Sequence, residues 1–421
     1  MPLRALLRTC VLVLAVTGLA SCEPSDPVAA AAERYVQLAL SLDQLAEGEV
    51  DAWFGPSDYV PEKPLADTIE SLLVEVRDYD ASLRDRALPQ DDARLQTLRE
   101  KSAHLLAVTE YLTASSLPPL ADELQTLYGA SLPSPPDDGE LERVFEELSA
   151  LLPGRRTLSF RIAAYRNTLL ISADRRRQVF ERALQECRER TLAHWSLPAS
   201  EQLELQWTRD VKTPWHSYQG EFRSVLQLND LTLGYVGSVL DVACHEGYPG
   251  HHAQFVLYEQ AGGGTRVEDQ LVLLRSPETA LREGAAELGV DLLFPGEDRL
   301  RFERDVLFPL AGLDPSQAAT NLRITRLLQR LGPAVVPILT TYRDGGVTFN
   351  STTFELERYA LVQAPRKALE HFDRYGAYAL SYIVARQALA DWLAAQGEDQ
   401  WTSLANILIE PDQSAIWRSE E

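Results

Sequence analysis

Apolar residues recur at helical spacing along most of this chain, and that periodicity constrains the fold more than any other property. Leu38, Leu42 and Leu45 fall four and three residues apart, on one face of a helix, and Leu72, Val76 and Leu83 repeat the pattern in a second segment. Helices are predicted again over 95–114 and 119–128, with the Ser-Ser-Leu-Pro-Pro break at 115–119 between them. The proline- and acid-rich stretch 131–139 reads as a loop and subdomain boundary. From 140 to 194 the pattern is helical once more, interrupted at Pro153-Gly154. The texture then changes. Residues 203–207 alternate apolar and polar side chains and 222–228 are apolar without helical spacing, so both are predicted strands. Helices follow over 231–258, 279–293 and 377–395, and Thr352-x-x-Glu355 is predicted to be a capping box. The expected fold is mainly α, a multi-helix assembly with a small β-sheet beside the helix at 231–258. An edge of that sheet would accept an extended peptide by backbone pairing.

The N-terminus reads as an export signal. Arg4 and Arg8 precede an apolar run from Thr9 to Ala20 that is too short for an ordinary membrane-spanning helix. Leu19-Ala20-Ser21-Cys22 resembles the lipobox of bacterial lipoproteins, which implies removal of 1–21, acylation of Cys22, and a lipid-anchored protein of the cell envelope exported across the inner membrane. Residues 22–29 would then be a tether. About 400 of the 421 residues remain, more than one ordinary core holds, and they are expected to divide into a helical lobe over 30–139 and a second region over 140–421. Of the four cysteines, Cys187 and Cys244 outlast this processing and are expected as two separate thiols, with Cys244 a small buried packing residue. The net charge of −22 excludes nucleic acid as a partner, because phosphates need a basic surface. Arg175-Arg176-Arg177 reads as a solvated helix face.

Chemistry concentrates at 245–252, His-Glu-Gly-Tyr-Pro-Gly-His-His, which holds three of the seven histidines. Neutral imidazoles bind zinc, and a carboxylate beside them takes a proton from the attacking water, a role open to Glu246. In a regular helix two imidazoles share a metal when they are four residues apart, about 6 Å along the axis. His245 has Pro249 at that offset. His251 would point about 240° away in an unbroken helix, and His252 would lie in phase but about 10.5 Å along. Pro249 has no N–H for the carbonyl of His245, so a bulge at Pro249-Gly250 is expected to carry His251 into register. His251 is therefore the preferred second ligand and His252 the alternative. The expected third ligand is Glu283, which precedes Gly284 and alanines that allow close helix approach. Glu287 and Asp241, each four residues from one of these groups, are candidates to orient a ligand imidazole.

The octet, with Glu-Gly some tens of residues later, resembles the bacterial family catalogued as domain of unknown function number eight hundred and eighty-five. That family is similar to the gluzincin metallopeptidases, helical zinc enzymes whose third ligand is a downstream glutamate. The resemblance runs from about Ala30 to Trp417, includes Asp51-Ala52-Trp53-Phe54-Gly55-Pro56, and weakens in the C-terminal third. The family's Glu-Gly-Trp-Ala-Leu-Tyr stands here as Glu283 to Leu288 without the aromatics, and its Pro-Gly-Gln-Ala-Leu-x-Tyr stands as Gly376 to Tyr382. Tyr382 survives, and the resemblance implies that its hydroxyl donates to an oxyanion.

The expectation is a zinc-dependent, lipid-anchored hydrolase of peptides. Alternatives are a non-catalytic envelope protein that keeps the fold for binding or scaffolding, and a metal-dependent hydrolase of non-peptide substrates. Of the other histidines, His216 and His371 are candidates to touch substrate, while His104 and His194 read as structural.

Overall fold

The computed structural model describes residues 26–231, 233–397, 399–410 and 416–417; the leader and Cys22 lie outside the described residues. Asp26 accepts from the backbone N of Val28 at 2.9 Å and so caps α1 (Pro27–Leu45). Leu38 and Leu42 on α1 are fully buried against α2 (Ile69–Ser82) and α3 (Ala93–Thr113), which contribute Leu72, Val76, Leu95, Leu98 and Leu105 to the same core. α4 (Leu120–Tyr128) ends where Gly129 turns left-handed, at φ 66°. α5 (Asp138–Leu151) and α6 (Leu158–Asn167) flank the predicted Pro153-Gly154 break, and α7 (Arg176–Thr191) completes the helical first half.

Among the described residues, five strands form two small sheets. β1 (Val50–Trp53) pairs antiparallel with β5 (Leu271–Leu273). The other sheet has the order β2-β4-β3, from Gln202–Trp207, Arg223–Leu228 and Trp215–Gly220, with β2 parallel and β3 antiparallel to β4. β2 and β4 are the predicted strands. β3 carries no alternating apolar signal of its own and becomes a strand by pairing with β4.

Three further helices build the centre: α8 (Val236–Glu246), α9 (His251–Gln260) and α10 (Pro277–Leu293). The helix Tyr378–Ala395 matches the expected 377–395, and it packs along α10. The capping box predicted at Thr352 does not form, and the helix there is capped by a different residue. Thr348 caps the helix Phe349–Tyr359 by accepting from Ser351 N at 3.3 Å, and Thr352 sits one turn inside, its hydroxyl donating to the Thr348 carbonyl at 2.9 Å. The earlier start puts Thr352 and Leu356, four residues apart, on the buried face.

Two large cores result. The first joins α1 to α4 with residues from 334 to 385; the second joins α7, β4 and α8 with the helix Gln400–Ile409. α10 and the helix Tyr378–Ala395 belong to both: Ala280 and Leu380 face the first, while Leu281, Ala285 and Leu389 face the second. Cys187 and Cys244 correct the expectation of separate thiols. They form a disulfide between α7 and α8, with Cα atoms 5.4 Å apart. Their separation of 57 residues carries no sign that these two helices pack face to face. Among the described residues no helix is long and apolar enough to cross a membrane.

Candidate metal centre

The predicted bulge is a complete break. α8 ends at Glu246, α9 begins at His251, and residues 247–250 between them include a cis peptide at Tyr248-Pro249. The gap keeps its backbone satisfied, with Gly250 N donating to Cys244 O at 3.0 Å and Ala253 N to Gly247 O at 3.1 Å. A Cβ on Gly250 would lie 1.7 Å from the His245 carbonyl oxygen, so only glycine allows the chain to double back this tightly.

This turn brings His251 beside His245, their ring centroids 4.8 Å apart and the planes nearly perpendicular. α10 supplies Glu283 opposite. Glu283 Oε2 lies 3.2 Å from His245 Nε2 and 3.6 Å from His251 Nε2, and one ligand atom from each residue falls within 4.8 Å of the others. Four bonds of about 2.0–2.1 Å in a tetrahedron separate neighbouring ligand atoms by roughly 3.3 Å, close to these spacings. A charge-assisted hydrogen bond would be about 2.7–2.9 Å, shorter than either. Glu283 is 5% exposed, and its Oε2 is buried without a hydrogen-bond partner. With that oxygen facing two imidazole nitrogens, His245, His251 and Glu283 form a cluster able to hold a metal ion.

The electrostatics are coupled. Burial alone would raise the Glu283 carboxyl, but the two imidazoles hold it well below its ordinary range. Burial would likewise lower His245, yet Glu283 and Glu287 outweigh it and raise the imidazole. Glu246 stands above the usual carboxylate range because burial outweighs the attraction of His245 and His251, with Glu283 and Glu287 adding repulsion. Asp51 is pushed up to about 6 by burial and then by the charge of Glu283. It belongs to β1, where the pairing with β5 shifts between Val50 and Ala52.

The remaining candidates separate cleanly. Glu287 Oε1 lies 3.4 Å from His245 Nδ1, on the side of the ring away from Glu283. Asp241 does not orient that imidazole; buried Arg299 takes both its oxygens, at 2.8 and 3.0 Å. His252 is not available as a ligand, since it is fully buried with Nδ1 2.8 Å from Ser224 Oγ and Nε2 2.8 Å from Glu201 Oε2. His216, on the edge strand β3, contacts Ser224 Oγ at 2.9 Å, and its ring lies 5.8 Å from that of His251. Burial, then the nearby histidines, holds His216 well below the ordinary imidazole range. His371 packs on Tyr375 and is 6.4 Å from the ring of Tyr378. His104 bonds the Arg275 carbonyl, and His194 stacks on Trp401 at 4.3 Å.

Tyr382 lies over His245 with ring centroids 6.1 Å apart. Sequence reasoning missed Tyr378, one turn earlier, whose hydroxyl donates to Glu283 Oε1 at 2.8 Å. Its position four residues before Tyr382, on the same helix face, was the available signal. Gly284 makes the approach feasible, because a Cβ there would lie 2.6 Å from the Ala385 backbone.

No family model matches this chain, and no curated protein does. Among solved structures, the chain is similar to the "putative lipoprotein" from Colwellia psychrerythraea, with 13% identity and a TM-score of 0.48, over 83% of this chain and 68% of that one. A likeness of that size decides nothing about chemistry.

Proposed function

We propose that the protein is a zinc-dependent hydrolase of peptide bonds, tethered in the cell envelope through a lipid on Cys22. The observation that carries this reading is the buried, unpartnered Glu283 Oε2 facing His245 and His251, with Glu246 next to His245 in the chain. Bound zinc would act as a Lewis acid, making a water acidic and polarising the scissile carbonyl. His245, His251 and Glu283 hold the ion, and Glu287 steadies the His245 ring from its other nitrogen. Glu246 takes the proton of the attacking water and delivers it to the departing amine. Burial raises its carboxyl above the ordinary value, which makes it a stronger base than an exposed glutamate. Tyr382 donates its O–H to the oxyanion, and the β3 edge, with Trp215 half exposed beside His216, lays an extended peptide across the centre.

Metal analysis and peptide hydrolysis on the mature protein test this reading. Wild type and Glu246→Gln are both expected to carry one zinc, with hydrolysis about 100-fold slower or worse in the variant. His251→Ala is expected to lose the ion and His252→Ala to keep it. Full activity in Glu246→Gln would overturn the assignment of the base. A zinc-loaded wild type that cleaves no peptide would instead favour a binding protein or a hydrolase of other substrates.

A further inference from the structure

Tyr378 links the proposed ligand Glu283 to Tyr382. Its hydroxyl is buried and donates to Glu283 Oε1 at 2.8 Å, while the hydroxyl of Tyr382 lies 3.1 Å from it. A phenol has one hydrogen to give, and an ionised carboxylate only accepts. The Tyr378 hydrogen is thus committed to Glu283, and the hydrogen between the two phenols belongs to Tyr382. The chain has one direction: Tyr382 donates to Tyr378, and Tyr378 donates to Glu283.

Two consequences follow from that direction. The bond to Oε1 fixes the carboxylate so that Oε2 faces the two imidazoles. The Tyr382 hydrogen, meanwhile, points at Tyr378 in the resting protein and away from any substrate oxygen. We propose that Tyr378 is a positioning residue, which sets the Glu283 carboxylate for metal and holds the Tyr382 hydrogen until a substrate oxygen competes for it. The proposal rests on the zinc hydrolase reading above. The fold is built to keep Tyr378 there. Glu123 of α4 accepts from Ala377 N at 2.6 Å, directly before Tyr378, and Gly284 lets the helix Tyr378–Ala395 approach α10.

Tyr378→Phe removes one oxygen and keeps the ring, and unfolding midpoints would verify that the fold is intact. Zinc affinity of the full mature chain would be measured by competition with a chromogenic chelator. Tyr378→Phe is expected to weaken zinc binding about 10- to 100-fold, whereas Tyr382→Phe leaves it at the wild-type value. Hydrolysis at saturating zinc is expected to separate the pair the other way. Tyr382→Phe loses roughly 100-fold in kcat with little change in KM, a larger loss of turnover than in Tyr378→Phe, whose main deficit is in zinc affinity. Equal zinc affinity in folded Tyr378→Phe and wild type would overturn the role of Tyr378 and leave the hydrolase reading standing. Equal weakening of zinc in both variants would also overturn it. A wild type that takes up no zinc would remove the hydrolase reading and this inference with it.

Discussion

Adjacent imidazoles at 251 and 252 have opposite fates because consecutive residues on a helix diverge by about 100°. His251 turns toward Glu283, and His252 turns into a buried network around Glu201. Glu201 accepts from His252 and from the Tyr248 hydroxyl at 2.7 Å, and from Arg188 at 2.6 Å. Burial would raise its carboxyl, but these bonds bring it down to about 2 from an ordinary 4.5. A depressed carboxyl contributes stability that is complete above its unfolded value and is lost as pH falls toward the folded one. The window here runs from about 4.5 down to about 2. Glu201→Gln is expected to be less stable than wild type by on the order of 2–3 kcal/mol at neutral pH, after discounting for the exposed side of Arg188, and the difference should vanish near pH 2. Urea unfolding across that range measures it, and a difference independent of pH would mean that Glu201 acts by packing alone.

At the scale of elements, the interrupted helix pair α8 and α9 is what turns a six-residue spacing into a shared site. Pro249 prevents one continuous helix, Gly250 permits the tight return, and Gly289 on α10 leaves room for the proline ring, which a Cβ would meet at 2.6 Å. The disulfide ties the same region to α7, since Cys244 directly precedes His245. Such a bond agrees with the export expected from the leader, because disulfides persist in oxidising compartments. Closing a loop across a separation of 57 residues is worth about 4 kcal/mol in the chain-entropy model, with measured values commonly nearer 2–4 kcal/mol. The double variant Cys187→Ser, Cys244→Ser is expected to unfold at a lower urea concentration by a corresponding amount. Reductant should shift wild type to the same midpoint and leave the variant unmoved.

Across the whole molecule, the candidate centre lies on the seam between two cores, so groups far apart in the chain control it. Glu123, buried on α4, pairs with Arg343 and holds the start of the helix that carries Tyr378 and Tyr382. Glu123→Ala leaves the Arg343 guanidinium buried without its carboxylate and is expected to cost about 3–5 kcal/mol. Zinc affinity should fall with it, which unfolding and chelator competition on the same samples would reveal; a stability loss without any zinc effect would show that the two cores act independently. The helical class, strands β2 and β4, and the pairing of His245 with His251 were legible in the sequence, because periodicity and proline chemistry act over a few residues. Glu283 was legible only as a candidate. The partner of Asp241, the network that removes His252, the disulfide, strand β3 and the donor role of Tyr378 were decided by tertiary packing. Each joins side chains or strands brought together when helices and strands dock, and local spacing holds no record of which faces meet.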